Sequence, residues 1–349
     1  MPVRVGQSDA ITAEQQVASI PCCTSCPFEQ LGSCQHQAAL PAGYQRAGGS
    51  HPTRKKRGTG CCAAGAEQVL HWDSKFQALW EELQAAPLIM SRQRLAATTQ
   101  ISCGGSAAIV YKDWHSLAQA HANLSSVLPP EQPPLWEVSK RFQECTAAGQ
   151  GAACRNVVPT HSSETHRPSC AIVGNSGILR HAQHGSAVDR HDIVFRFNNG
   201  RTQGFEQFVG TESHFRFVNG PYIVPKQPGE IALAQLRDPA VHSWVRAREK
   251  HPEALTYMVD PELVCLAWRW VNQAGDLPSS GLVGVLFALA VCRSVDMFGF
   301  AFSEYFNVSV QPHYYDWERP KVGREDAHPF AEEAKLYRML QSAGKLVLH

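Results

Sequence analysis

A chain of 349 residues with 44% hydrophobic content is long enough for one large domain or two smaller ones with a sizeable core. Its 32 Lys and Arg against 31 Asp and Glu leave a formal net charge of +1, which argues against a general polyanion binder and gives no reason to expect a nucleic-acid partner. No run approaches the roughly 18 to 20 apolar residues needed to span a bilayer, and no cleavable signal peptide is evident. The longest apolar run, Leu282 to Cys292, reads as a buried helix.

Residues 1–63 are rich in Gly, Ser, Pro, Gln and Cys without a sustained period, and read as a disordered or stem-like arm. Within them Arg54-Lys55-Lys56-Arg57 reads as solvated linker. Cys22, Cys23 and Cys26 with Cys34 and His36 fit no standard zinc finger, so disulfides or unpaired thiols account for them better than a zinc knuckle does. Residues 64–169 form a helical lead-in. From Ala66 to Gln93 apolar residues recur every three or four positions, which predicts an amphipathic helix. A second helix is predicted over Asp113–Val127, a rigid connector over Pro129–Pro134 and a short helix over Trp136–Cys145. Cys145 and Cys154 could close a local loop.

The region from Cys170 onward, 170–349, carries the chemistry. Ala171-Ile172-Val173 is a short strand that runs into Gly174-Asn175-Ser176-Gly177, and Asp192–Phe197 is a second strand ending at Asn198-Asn199-Gly200. Two such strands deliver an Asn each to the carboxyl edge of a sheet, where α/β folds bind nucleotides. Gly174-x-x-Gly177 lacks the three-glycine dinucleotide fingerprint, so on pattern alone the turn is either a nucleotide edge or plain scaffold. Ile231–Val264 alternates helix and strand, with Thr256–Val259 the clearest strand, and Trp268-Arg269-Trp270 is either an acceptor platform or core. Pro278-Ser279-Ser280-Gly281 caps an apolar helix, Leu282–Val291, with hydroxyls and free N–H groups that suit a nucleotide. Strand Val295–Phe298 follows and ends at Gly299, and His328-Pro329 opens a last helix, Phe330–Leu340. The fold class is α/β, a mostly parallel sheet with helices on both faces.

The stretch from Cys170 to Phe217 resembles the large sialylmotif of the eukaryotic sialyltransferases, glycosyltransferase family 29. Three more pieces follow in that family's order. Pro278-Ser279-Ser280-Gly281 through Cys292 to Phe298-Gly299-Phe300 resembles the small motif, His313-Tyr314-Tyr315-Asp316 the third, and His328 with Glu333 the very small one. The resemblance implies a GT-A-like variant of the α/β fold and a CMP-activated sugar donor, with Asn175, Ser176, Asn198, Ser279, Ser280, Gly281, Gly299, Phe300 and Tyr314 lining its site. It further implies a glycan acceptor on a glycoprotein or glycolipid, no metal or other cofactor, and a disulfide between Cys170 and Cys292. Location in the Golgi lumen behind a single-pass type II anchor belongs to the same implication, although no anchor is visible in this sequence. Twelve cysteines and the sequons at Asn123 and Asn307 suit such an oxidising lumen.

Sialyl transfer needs loss of CMP and attack by a sugar hydroxyl, so a proton acceptor that works near neutrality is required, and histidine is that residue. His328 is then expected as the general base; the resemblance implies that His313 stabilises the departing phosphate and that Glu333 has a structural or orienting role, while Tyr314 and Tyr315 bind that phosphate or pack. Two stretches depart from the family's pattern: Phe208 stands before Val209-Gly210 where many members have Asp, and Thr211–His214 replaces a more basic run. They leave the donor open among sialic acid, KDN and Kdo. The alternative is a catalytically silent CMP-sugar-binding or scaffolding protein of the same fold, against which the presence of both histidines argues.

Overall fold

Short runs rich in Val, Ile and Phe that end at Gly or Asn turns have one stable way to bury both faces, a parallel sheet covered on two sides. The computed structural model describes residues 70–97, 103, 124–148, 167–219, 225–235, 238–252, 254–300, 311–318 and 327–349. The predicted cysteine cluster at 22–36, most of the helix predicted over 113–127, both sequon asparagines and Cys154 lie outside them. The strands are β1 (Ser169–Val173), β2 (Ile193–Phe197), β3 (Phe215–Val218), β4 (Ile231–Ala234), β5 (Thr256–Met258), β6 (Ser294–Phe298) and β7 (Val347–Leu348). They form one sheet in the order β5-β4-β3-β2-β1-β6-β7, every neighbouring pair parallel. The chain winds outward from β1 to β5 and then returns to lay β6 on β1's other side. The crevice at the carboxyl ends of β1 and β6 is therefore the switch point where such sheets take their ligands.

Before the sheet come α1 (Ser74–Ala85), α2 (Arg92–Ala97), α3 (Leu124–Val127) and α4 (Leu135–Ala147). A 3-10 turn at Gly177–His181 follows β1, with α5 (Gly185–Val188) before β2 and α6 (Glu206–Val209) after it. The remaining helices are α7 (Asp238–Lys250), α8 (Pro261–Trp270), α9 (Ser280–Val291) and α10 (Phe330–Ser342). The strands' period of two sorts the core. Cys170, Ile172, Phe195, Phe197, Phe215 and Phe217 join α9 and the lead-in helices on one face; Ala171, Val173, Val194 and Phe298 meet Leu179, Val188, Val209 and Tyr314 on the other. Helix α9 is buried from Leu282 to Leu289, as expected of a helix apolar all round. Its far end is tied to β1 by the Cys170–Cys292 disulfide.

Two expectations change, and one open alternative is resolved. The helix predicted over Ala66–Gln93 is two pieces. Asp73 caps α1 by accepting from the Phe76 N–H at 3.0 Å, and Pro87 ends it, because the residue before a proline is driven out of the helical region and Ala86 sits at φ −68°, ψ 143°. The chain then runs extended, with Ile89 bridging Val259 antiparallel and the Met90 N–H bonding the Met258 carbonyl at 2.8 Å. Trp268 and Trp270 are core: both are buried, Trp268 donates to the Ala274 carbonyl at 2.9 Å, and Trp270 packs on Phe76. Arg269 between them turns outward to Glu82. Finally, Pro329 occupies the cap position of α10 instead of its first turn, which sets His328 just outside the helix. A second disulfide, Cys103–Cys265, anchors Cys103 to α8; no spacing in the sequence points to it.

Candidate active site

The two glycines at the switch point fix how close β1 and β6 come. A Cβ on Gly174 would lie 2.4 Å from the Gly299 carbonyl oxygen, and Gly299 itself has φ +75°, so neither position takes a side chain without strain. The turn between them is laced by backbone bonds, Gly174 N–H to Phe298 at 2.8 Å and Ser176 N–H to Gly299 at 3.4 Å. Asn175 stands at this edge with its side-chain amide donating to the Phe197 carbonyl at 3.3 Å, and Ser176 caps the 3-10 turn by accepting from the Ile178 N–H at 3.4 Å. Across β2, Asn198 adopts φ 45°, the left-handed region that Asn tolerates better than most residues, and its Oδ1 accepts from the Asn219 N–H at 3.2 Å. The two turns predicted to share one edge do so.

On the neighbouring side Ser279 caps α9. Its Oγ accepts from the Leu282 N–H at 3.0 Å and donates to Glu333 Oε2 at 2.6 Å, while its own N–H donates to Glu333 Oε1 at 2.8 Å. One buried carboxylate therefore locks the N-terminus of α9 to the first turn of α10. Burial pushes the Glu333 carboxyl up to about 7, against the opposing effect of the two Ser279 bonds. Ser280 and Gly281 begin α9; a Cβ on Gly281 would lie 3.0 Å from the Phe300 ring, which also packs edge-on to Phe197 and Tyr337. The N-terminus of a twelve-residue helix thus faces the aromatic wall beside the glycine switch point.

The histidines enter from two loops. His313 forms an antiparallel bridge with Ser176, which seats it against the β1 turn, and the Tyr314 N–H donates to the Asn175 carbonyl at 3.0 Å. Its Nδ1 lies 2.9 Å from Asp316 Oδ1 and its ring is parallel to Tyr315, 5.2 Å between centroids. His328 Nδ1 lies 3.2 Å from the Leu277 carbonyl. A carbonyl only accepts, so the ring proton sits on Nδ1, and Nε2 is the lone-pair nitrogen of the neutral imidazole. That is the tautomer a general base requires. Tyr314 is buried, its hydroxyl donates to the Arg201 carbonyl at 2.7 Å, and burial pushes it up to about 12.

Sequence reasoning missed what holds the Asn198 turn. β2 and β3 read Phe-Arg-Phe in register, Phe195 beside Phe215, Arg196 beside Arg216 and Phe197 beside Phe217. The phenylalanines stack on one face and the arginines share the other. Arg216 Nη1 donates to the Asn198 and Gly200 carbonyls at 3.1 and 2.6 Å, and Nη2 pairs with Glu230 at 2.8 Å, both side chains wholly buried. Arg196, driven down to about 10 by burial, donates to the Val209 and Glu212 carbonyls at 2.7 Å. The segment that departs from the family pattern is thus gripped from beneath. Asp189 accepts from the Thr211 and Glu212 N–H groups at 2.9 and 3.1 Å, so this stretch is structural. A charge recurring at the same alternate position of two apolar strands was the available signal.

Among the described residues no group of three or more His, Cys, Asp or Glu is placed to hold a metal ion, and no helix is long and apolar enough to cross a membrane.

The family model for glycosyltransferase family 29 (sialyltransferase) matches residues 134–244 and 232–345, more than half of the chain, and the chain belongs to that family. A CMP-N-acetylneuraminate-β-galactosamide-α-2,3-sialyltransferase 1 of Sus scrofa is 28% identical over 205 residues, 51% of this chain and 56% of that protein. A β-1,6-galactosyltransferase of Arabidopsis thaliana is 26% identical, over 55% of each. The matches span little more than half the length of these relatives. A crystal structure of a mammalian sialyltransferase in complex with Gal-β-1,3-GalNAc-ortho-nitrophenol superposes with a TM-score of 0.54 at 19% identity, over 79% of this chain and 96% of that one, which shows the shared fold.

Proposed function

We propose that the protein transfers sialic acid, or a related 2-keto sugar acid, from its CMP ester to a hydroxyl of a glycan acceptor, with inversion and without a metal. The observation that carries this reading is the convergence at one switch point of both Asn turns, the Ser279-capped N-terminus of α9 and the loop bearing His313, with His328 brought alongside through Leu277. Cytidine and its phosphate rest on the turns and the helix N-terminus, whose N–H groups favour an anion. The acceptor hydroxyl attacks the anomeric carbon as the bond to the phosphate oxygen breaks; its proton passes to His328 Nε2, and CMP departs with the electron pair. His313, oriented by Asp316, donates to the departing phosphate. A monophosphate carries less charge than a diphosphate, so these donors suffice. We place the reaction in the Golgi lumen, where the disulfides persist.

The test is turnover by protein from a secretory host, offered CMP-Neu5Ac and CMP-Kdo over a panel of galactose-terminated acceptors. Release of CMP that requires an acceptor supports the reading. Binding of CMP with no release from either donor favours the silent sugar-nucleotide binder, and failure to bind CMP overturns the site.

A further inference from the structure

Three residues past Asn198 the chain exposes a cation that the motifs leave without a role. The Arg201 guanidinium lies over Tyr315, 5.6 Å from the ring centroid, and its backbone carbonyl accepts the Tyr314 hydroxyl at 2.7 Å. Gly200 before it is hemmed in: a Cβ there would lie 2.5 Å from Asn175 Oδ1 and 3.2 Å from the Tyr314 hydroxyl oxygen. The root of Arg201 is thereby fixed beside the nucleotide edge while its head stays in solvent. Tyr315, in turn, lies parallel to the His313 ring with 2° between planes. Guanidinium and imidazole share one phenol. Arg180, also exposed, is differently engaged, turned onto Phe205 and donating to Gln311 at 3.4 Å.

We propose that Arg201 binds the carboxylate of the donor sugar acid and so selects an anionic 2-keto sugar over a neutral one. The inference rests on the proposed CMP donor and on His313 meeting its phosphate. In a CMP ester of a 2-keto sugar acid, one anomeric carbon bears both the phosphoester oxygen and the carboxylate. A group that holds the carboxylate must therefore stand within a side chain's reach of the group on the phosphate, and Arg201 stands so with respect to His313 through Tyr315. A guanidinium presents two parallel N–H groups that match a carboxylate, and it stays charged at any working pH. CMP alone lacks the whole sugar acid, so a loss confined to the sugar nucleotide places Arg201 on the donor sugar, and a graded loss from Arg201→Lys to Arg201→Gln marks the contact as one to its anionic group.

The experiment measures affinity for CMP and for the non-transferable CMP-3-fluoro-Neu5Ac, by calorimetry, on wild type, Arg201→Gln and Arg201→Lys. Arg201→Gln is expected to weaken the fluoro-sugar nucleotide about tenfold and CMP less than twofold, with Arg201→Lys in between. Equal weakening of both ligands overturns the proposal and assigns Arg201 to the phosphate or to bracing Tyr315; no change in either also overturns it. Wild type that binds neither ligand removes the proposed function as well, whereas wild type that binds both while Arg201→Gln is silent removes only this inference.

Discussion

Glu333 is where a single side chain has the most to say. It is buried and accepts two bonds from Ser279, so Glu333→Ala removes the acceptor of a buried N–H and hydroxyl and is expected to cost about 1–3 kcal/mol in denaturant unfolding. Glu333→Gln keeps an acceptor for the N–H but puts an amide NH2 where the hydroxyl donates, so the hydroxyl must turn to accept; it is expected to cost less than Glu333→Ala while leaving wild type the more stable at low pH. Its carboxyl is raised from about 4.5 to about 7, so the native state holds that proton more tightly than the unfolded chain does. The group's contribution to stability is complete below about 4.5 and is lost as pH rises through about 7. His214 runs the other way: burial takes it down to about 4, so its contribution is present above 6.5 and lost as pH falls through 4. The difference in unfolding free energy between wild type and Glu333→Gln, measured from pH 5 to 8, isolates the first effect and is expected to shrink wild type's advantage as pH rises. Wild-type stability that rises relative to the variant's with pH contradicts the assignment.

At the level of elements, the site is the meeting of four strand or helix ends, and two devices hold them there. The Cys170–Cys292 bridge closes a separation of 122 residues between β1 and the end of α9; replacing both cysteines by serine is expected to lower stability by about 2–5 kcal/mol. The Arg216–Glu230 pair is the other. Arg216→Met alone strands a buried carboxylate and should cost about 3–5 kcal/mol, while Arg216→Met with Glu230→Gln is expected to recover most of that yet still bind CMP weakly, because Arg216 then no longer grips the Asn198 and Gly200 carbonyls. Full recovery of CMP affinity in the double variant would detach the pair from the site. The Asn turns, the Ser279 cap and the strands themselves were legible in the sequence, since turn and cap chemistry is local. The Arg216–Glu230 bond, the Ser279–Glu333 bond and the Cys103–Cys265 bridge join residues 14, 54 and 162 apart, and only the tertiary fold decides such meetings. Trp268 and Trp270 stayed open between platform and core for the same reason, because an aromatic pair in sequence does not say which side of a helix the core lies on.

For the whole molecule, the lead-in helices are part of the body that carries the sheet: Phe76, Leu83, Leu124 and Val138 share one core with β1, β2 and α9. The family model begins at residue 134, ahead of the motifs. The parallel order of the sheet followed from its apolar strands, and its switch point then dictated where a nucleotide would sit. The central claim is a division of labour between two histidines across that point, and CMP titration paired with single-turnover transfer on wild type, His313→Ala and His328→Ala tests it most directly. His328→Ala is expected to bind CMP as wild type does and to transfer about 100- to 10,000-fold more slowly, with His313→Ala impaired in both. Transfer by His328→Ala at the wild-type rate would contradict the account.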